Sequence, residues 1–232
     1  MTTLVLLPGM DGTGELFARF TFELGRRINV RVVRYPATEP LEYPALEEIA
    51  RAAFPADEDF VMLAESFSGP IAVSLAAAHP RHLKGLVMCA TFVRNPRPIT
   101  APLRMMLNHL PLNAIPTHLS APVLLGHFAT DALMEALRHA LAPVSTAVLR
   151  ARLRAVLAVD VSAQLAQVKI PVLYLRALHD RVVPPAASAQ VAQLCPHASF
   201  VEIDAPHFVL QAAPEESAKA VRAFVREVAK AS

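Results

Sequence analysis

Three residues of the types that perform nucleophilic catalysis occupy comparable places along the chain. Ser66 stands in FVMLAESFSGPIAVS, residues 60–74, between an apolar run that reads as a strand ending at Ala64 and a pattern that reads as a helix beginning near Ser68. Asp180 stands in PVLYLRALHDRVVPP, residues 171–185, just past another strand-like run, with Pro184 positioned to restart the chain as a helix. His207 stands in VEIDAPHFVLQAAPEE, residues 201–216, in a short loop after a third such run and before a helix announced by Pro214 and Glu215. A serine hydroxyl is a poor nucleophile until a base takes its proton, and an imidazole held by an acid is the base suited to neutral pH. Each residue also has a plainer role. Serine is a favoured helix N-cap, aspartate is common in turns, and an isolated histidine is ordinarily a surface residue. Ser68 is a rival nucleophile, although that choice leaves Ser66 in the strand and Pro70 inside the first helical turn.

The elements that must position these residues follow from periodicity. Nearly unbroken apolar runs at residues 2–7, 28–34, 59–64, 85–91, 170–176 and 199–203 read as strands buried on both faces, and hence as a parallel sheet covered by helices. Amphipathic stretches at 15–27, 45–54, 70–79, 185–194 and 214–229 alternate with them. The last carries Val221, Phe224, Val225 and Val228 at i, i+3, i+4, i+7 on one face. Repeated strand–helix–strand units predict an α/β fold with a doubly wound, mostly parallel six-stranded sheet. Residues 94–160 break the alternation. They hold no strand run, and seven prolines between Pro96 and Pro143 divide them into short helices, expected at 103–110, 131–141 and 145–159. A connection of that length is too long for a plain loop. The expected organisation is a core of residues 1–93 and 161–232, with 94–160 inserted as a helical cap over the C-terminal edge of the sheet.

The order Ser66, Asp180, His207, each past the C-terminal end of a strand, resembles the nucleophile, acid and base of the α/β-hydrolase superfamily, in particular its small, capped, esterase- or lipase-like members. The segment around Ser66 is similar to the family's nucleophile elbow, G-x-S-x-G. Ala64 and Ser68 replace the two glycines, and both are small enough for a strand and helix that nearly touch. The resemblance implies that His207 takes the Ser66 proton while Asp180 holds the imidazole. It also gives a role to LPGMDGTGELF, residues 7–17, whose three glycines in six positions allow a loop to turn its amides towards a ligand. That loop stands where the family carries its oxyanion loop, with Pro8 in place of the usual histidine, so the backbone N–H groups of Met10 and Phe67 would form the oxyanion hole. A phosphate-binding loop is the competing reading of these glycines, but neither G-x-G-x-x-G nor G-x-x-x-x-G-K-[ST] is present. Asp11 and Thr13 are expected to cap the following helix. The family's usual sheet opens with two further N-terminal strands. This chain begins at the strand feeding the oxyanion loop, so a trimmed, all-parallel six-stranded sheet is expected.

Composition narrows the function. The 232 residues are 54% hydrophobic and 18% charged, which excludes disorder, and the net charge of +2 comes without a basic run of the kind nucleic-acid binders carry. Within 94–160, seven arginines, among them Arg138, Arg150, Arg152 and Arg154, face three acids. They read either as a solvated face or as an attraction for an acidic leaving group. No H-E-x-x-H or C-x-x-C is present, so neither a metal nor another cofactor is expected. Cys89 and Cys195 are expected to be free thiols. The N-terminus has no basic leader, and no apolar run approaches the ~20 residues of a membrane helix. A cytoplasmic monomer or homodimer that engages neither membrane nor nucleic acid is expected.

The resemblance then implies a serine esterase acting on a small carboxylic ester or thioester of an apolar acyl group. Acyl transfer to an alcohol and hydrolysis of a C–C bond would use the same residues, and some relatives of this fold are ligand receptors without activity. A serine in place of an aspartate nucleophile argues against dehalogenases and epoxide hydrolases. Gly9, Met105, Met106 and Phe208 are the candidate acyl-pocket residues, the methionines because flexible thioethers adapt to ligands. His179 is a further candidate for lining the site. Glu65, directly before Ser66, has no role that the sequence assigns.

Overall fold

The computed structural model describes residues 2–26, 28–98 and 124–231. Strands β1 (Thr3–Leu7), β2 (Asn29–Val32), β3 (Phe60–Glu65), β4 (Leu83–Cys89), β5 (Val172–Ala177) and β6 (Ser199–Ile203) form one sheet in the order β2-β1-β3-β4-β5-β6. Every pairing in it is parallel. The helices are α1 (Ala18–Leu24), α2 (Tyr43–Ala52), α3 (Gly69–Ala77), α4 (Asp131–Leu141), α5 (Thr146–Ala158), α6 (Ser162–Leu165), α7 (Pro185–Leu194), α8 (Val209–Ala212) and α9 (Pro214–Ala231).

The interior strands are apolar on both sides because both sides are covered. Leu4, Leu6, Val61, Leu63, Val87 and Cys89 face one layer, where Phe20 and Leu24 of α1 and Val221, Phe224, Val225 and Val228 of α9 pack on them. The alternate residues, including Val5, Leu7, Met62 and Met88, meet Leu46 of α2, Ile71 and Leu75 of α3 and Val191 of α7.

The expectation of strands buried on both faces fails at the two edges. In β2, Asn29 and Arg31 are exposed, and in β6 Ser199, Phe200 and Glu202 are exposed, because each edge strand has a neighbour on one side alone. The stretch 15–27 is not one helix: it opens as a 3-10 turn, Glu15–Phe17, and α1 stops at Gly25, whose φ of 70° ends it. β4 starts two residues earlier than expected and ends at Cys89, because Ala90 adopts φ 44°.

Between β4 and β5, α4 begins where Thr130 accepts a hydrogen bond from the Leu133 N–H (3.2 Å), and α5 where Ser145 accepts one from the Val148 N–H (3.3 Å). The two ends of this segment meet. Arg94 and Asp160 form an antiparallel bridge, and the Val161 N–H donates to the Val93 carbonyl (2.7 Å). The helix expected at 103–110, with Met105 and Met106, lies outside the described residues. Both cysteines are free and buried.

Candidate active site

β1 and β3 are neighbours whose continuations diverge, β1 towards β2 and β3 towards β4. In an open α/β sheet such a reversal leaves a crevice beyond the carboxyl ends of the strands, where ligands bind. Ser66 sits at its lip. It links β3 to a single 3-10 turn, Ser66–Ser68, that runs into α3, and its φ of 49° is a strained conformation for a residue with a side chain. The neighbours hold it there. The Thr91 hydroxyl donates to the Ser66 carbonyl, and the Tyr43 hydroxyl donates to the Phe67 carbonyl (3.0 Å). The closest approach predicted around Ser66 falls one residue later than the sequence suggests. A Cβ at Gly69 would lie 1.9 Å from Thr91 Oγ1, so this position admits no side chain. Ser68, the rival, is fully buried. Its hydroxyl donates to the Pro8 carbonyl and lies 3.0 Å from the Tyr35 hydroxyl, joining the elbow to the loop after β1.

Asp180 and His207 are brought together by the loops after β5 and β6. The Leu178 N–H donates to the Ile203 carbonyl and the His179 N–H to the Ala205 carbonyl, so the two loops continue the ladder beyond the strands. Asp180 Oδ1 accepts from the N–H groups of Val182 and Val183, both at 2.8 Å. Its Oδ2 lies 2.9 Å from His207 Nδ1, and His207 Nε2 lies 2.8 Å from Ser66 Oγ. Both side chains are 7% exposed. With Nδ1–H donated to the carboxylate, Nε2 is left with its lone pair towards the serine hydroxyl, which is the tautomer a general base requires. The structure thus unites the three residues that the sequence singles out. His207 is separated from α9 by the short helix α8, which the sequence does not announce.

The loop after β1 lies beside them. Its Gly12 N–H donates to the Gly9 carbonyl (3.1 Å), and Gly12 and Gly14 adopt φ of 72° and 75°. Met10 belongs to this loop, and Phe67 to the 3-10 turn Ser66–Ser68 that follows β3, the strand next to β1. Asp11 does not cap the following helix. Its carboxyl accepts from the Thr13 N–H (2.8 Å) and hydroxyl (2.6 Å), and it is the Thr13 hydroxyl that accepts from the Glu15 N–H (3.3 Å) where the 3-10 turn begins.

A cavity of about 290 Å³ opens above Ser66 and His207. Gly9, Met10, Asp11 and Glu65 line its base, and Phe208 also borders it. Its wall is apolar: Leu124, Leu137 of α4, and Leu149 and Leu153 of α5 all contribute. Of the four expected pocket residues, Gly9 and Phe208 therefore line the cavity, and Met105 and Met106 lie outside the described residues. His179 is not among the lining residues; it pairs with Asp204 (2.8 Å) and meets the rings of His127 and Phe128. Glu65 is buried and accepts from the Gln211 amide (3.3 Å), and burial next to Asp11 pushes its carboxyl up to about 8.

Sequence reasoning treated the arginines of 94–160 as one group and missed that Arg152 is different. It is 1% exposed, and its guanidinium donates to the carbonyls of Met10, Asp11 and Pro36 at 2.8, 2.8 and 3.0 Å. The signal was present: Val148, Arg152 and Val156 are spaced i, i+4, i+8, which puts the arginine on the buried stripe of α5.

Among the described residues no group of histidine, cysteine and carboxylate side chains has the arrangement to hold a metal, and no helix is long and apolar enough to cross a membrane. No curated protein sequence matches the chain. The pattern of a family described as serine aminopeptidase, S33, matches residues 45–207. Several solved structures are similar over nearly the whole chain. The enol-lactonase from Burkholderia xenovorans LB400 has a TM-score of 0.82 at 18% identity, covering 97% of this chain and 91% of its own. A bromoperoxidase from Bacillus anthracis has a TM-score of 0.84 at 12% identity, covering 97% and 92%. A thermophilic esterase from Thermogutta terrifontis has a TM-score of 0.80 at 20% identity, covering 98% and 90%. At these identities the shared property is the fold.

Proposed function

The chain belongs to the serine aminopeptidase S33 family of α/β-hydrolase enzymes, and from that membership we propose that it is a serine hydrolase cleaving carboxylic esters or thioesters of uncharged, apolar acyl groups. The observation that carries this reading is the unbroken path of hydrogen bonds from Asp180 through His207 to Ser66, 2.9 and 2.8 Å long, ending at a strained serine beneath an apolar cavity. Ser66 Oγ attacks the acyl carbonyl as its proton passes to His207 Nε2. Asp180 keeps the imidazole in the required tautomer and stabilises the imidazolium. The N–H groups of Met10 and Phe67 receive the negative charge that forms on the carbonyl oxygen, where one such donor is worth roughly 3–4 kcal/mol. His207 then protonates the leaving alcohol or thiol. Water, activated by the same imidazole, releases the acid from Ser66.

The family's name denotes an aminopeptidase, and an exopeptidase of that kind needs an anionic group to hold the substrate's ammonium. Two acids border this cavity. Glu65 is neutral near pH 7, and Asp11 already accepts two hydrogen bonds from Thr13. The leucine wall suits an alkyl chain, and a volume at the small end of the ~300–1,000 Å³ usual for small-molecule sites suits one of short to medium length. Residues 94–160 act in this reading as the cap that supplies the wall. The pairing of the segment's two ends supports that role.

The test is direct. A fluorophosphonate probe is expected to label Ser66 and to leave Ser66→Ala unlabelled, and p-nitrophenyl butyrate is expected to be turned over far faster than alanine p-nitroanilide. Labelling at Ser68, or a preference for the anilide, would overturn the assignment of nucleophile or substrate respectively.

A further inference from the structure

A loop rich in glycine can turn its amides towards a ligand, but the same freedom leaves it without a reason to stay there. Gly9, Gly12 and Gly14 give the loop after β1 that freedom. Charge stabilisation in a transition state depends on donors already in place, held to within about 0.5 Å. Something outside the loop must supply the rigidity.

The candidate for that role comes from the other side of the cavity. Arg152 leaves the buried stripe of α5 between Val148 and Val156 and reaches the loop with a planar fork of donors. One nitrogen bonds the consecutive carbonyls of Met10 and Asp11, and a second bonds the carbonyl of Pro36, beyond the end of β2. The guanidinium lies 5.8 Å from the centre of the Tyr35 ring and 6.0 Å from that of Phe67, the residue following the nucleophile. The fit is close: at Gly12, with φ 72°, a Cβ would lie 2.6–2.8 Å from the guanidinium atoms. Burying an arginine on an apolar stripe is expensive, and a leucine or methionine would fill such a stripe without that cost. The charge is spent on holding two successive carbonyls, which fixes the peptide planes after Met10 and after Asp11. The second of these planes carries the Gly12 N–H, which donates to the Gly9 carbonyl (3.1 Å), and that carbonyl shares its plane with the Met10 N–H. The helix that carries it also carries Leu149 and Leu153 of the cavity wall.

We propose that Arg152 is a positioning residue for the oxyanion site: by holding the Met10 and Asp11 carbonyls it fixes the Gly12 N–H against the Gly9 carbonyl, so setting the direction of the Met10 N–H in the Gly9–Met10 peptide, and ties the helix lining the acyl pocket to the loop that stabilises the reacting oxygen. The proposal rests on the serine-hydrolase reading above. It concerns kcat rather than substrate capture, because the N–H it orients binds the tetrahedral oxygen more strongly than the ground-state carbonyl.

The experiment compares wild type, Arg152→Lys and Arg152→Ala with three readouts. These are kcat and KM for p-nitrophenyl butyrate, affinity for butylboronic acid, which forms a tetrahedral adduct on the serine, and the pH profile of kcat/KM. Lysine keeps the buried charge and most of the length, so its fold is retained, but it cannot bridge three carbonyls. Arg152→Lys is expected to lower kcat by about 10²-fold, the loss typical of one missing oxyanion donor. KM is expected within threefold of wild type, boronate affinity to fall in step with kcat, and the pH profile to keep its midpoint because the His207–Asp180 pair is untouched. Guanidinium chloride at tens of millimolar is expected to restore at least tenfold of the loss in Arg152→Ala and to do nothing for Arg152→Lys, whose side chain occupies the space. A merely structural arginine would show none of this parallel between boronate affinity and kcat. Retention of kcat within threefold in Arg152→Lys, or loss of kcat with boronate affinity unchanged, overturns the proposal while an active wild type leaves the hydrolase reading standing. A wild type that neither turns over the ester nor binds the boronate removes the hydrolase reading and this proposal with it.

Discussion

At the end of β5 and at the end of β3 the chain buries a carboxyl group within reach of the same histidine loop, and it surrounds the two differently. Asp180 receives the N–H groups of Val182 and Val183 and faces His207 Nδ1. Glu65 receives the Gln211 amide, and among the described residues no backbone N–H donates to its side chain; the charge that acts on it is that of Asp11, of the same sign. Burial strips water from both. In the first region the loop replaces that water with converging donors, an arrangement suited to an anion. In the second the strand has already spent its N–H groups on the sheet, so the neutral carboxyl is favoured. Position beside Ser66 therefore does not join an acid to the hydrogen-bonded path through His207; the two carboxyls differ in the donors that the local backbone offers them.

Both regions border Ser66, and its removal has the largest expected effect. Ser66→Ala is expected to lower kcat for p-nitrophenyl butyrate by about 10⁴-fold or more with the fold intact, and a loss under tenfold would show that the chemistry lies elsewhere. Asp180→Asn comes next, with an expected loss of about 10³-fold in kcat, because an amide can no longer set the tautomer of His207 or balance its positive charge. Circular dichroism matching wild type would assign that loss to chemistry rather than folding.

Glu65→Gln sharpens the contrast. A glutamine resembles the neutral carboxyl, so kcat at pH 7 is expected within threefold of wild type, and a loss equal to that of Asp180→Asn would erase the distinction drawn above. The stability effect has a definite sign. The folded carboxyl titrates at about 8 and an exposed glutamate near 4.5, so the folded state holds the proton more tightly. This contribution is fully present below about pH 4.5, declines as pH rises towards 8 and is absent above it, each pH unit in the window being worth about 1.4 kcal/mol. Thermal midpoints from pH 5 to 9 should fall more steeply for wild type than for Glu65→Gln. Parallel slopes would mean that Glu65 is ionised in the fold.

The smallest effect concerns the wall opposite both carboxyls. Along a p-nitrophenyl series from acetate to octanoate, each added methylene is expected to improve kcat/KM by up to about 0.8 kcal/mol, close to fourfold, until the cavity is full. A flat or falling series would reject the apolar acyl pocket and leave the Ser66–His207–Asp180 relay untouched.

Much of this architecture is legible in the amino-acid sequence because it depends on local patterns. The interior strands β1, β3, β4 and β5 follow from apolar runs. The helices α4 and α7 fall at the residues expected of them, 131–141 and, after Pro184, 185–194. Ser66, Asp180 and His207 stand out for the same reason: each follows a recognisable strand, and a parallel sheet carries all such loops to one edge. The exposure of the β2 and β6 faces had a signal that reading them as apolar runs passed over: Asn29, Arg31, Ser199 and Glu202 are polar where β1, β3 and β4 carry apolar residues.

What the side chains do once the edge is assembled was decided by tertiary contacts. In one dimension the spacing of Arg152 between Val148 and Val156 places it on a buried stripe, but the partners it finds there depend on a glycine loop some 140 positions earlier folding beneath α5. Asp11 reads as a helix cap until the cavity places it beside Glu65, and Glu65 is an unremarkable strand end until Gln211 and Asp11 surround it. Periodicity and turn chemistry act over a few residues and so are written in the order of the chain. Desolvation and the choice of hydrogen-bond partner depend on which distant atoms exclude water from a group, and the packed structure alone determines that.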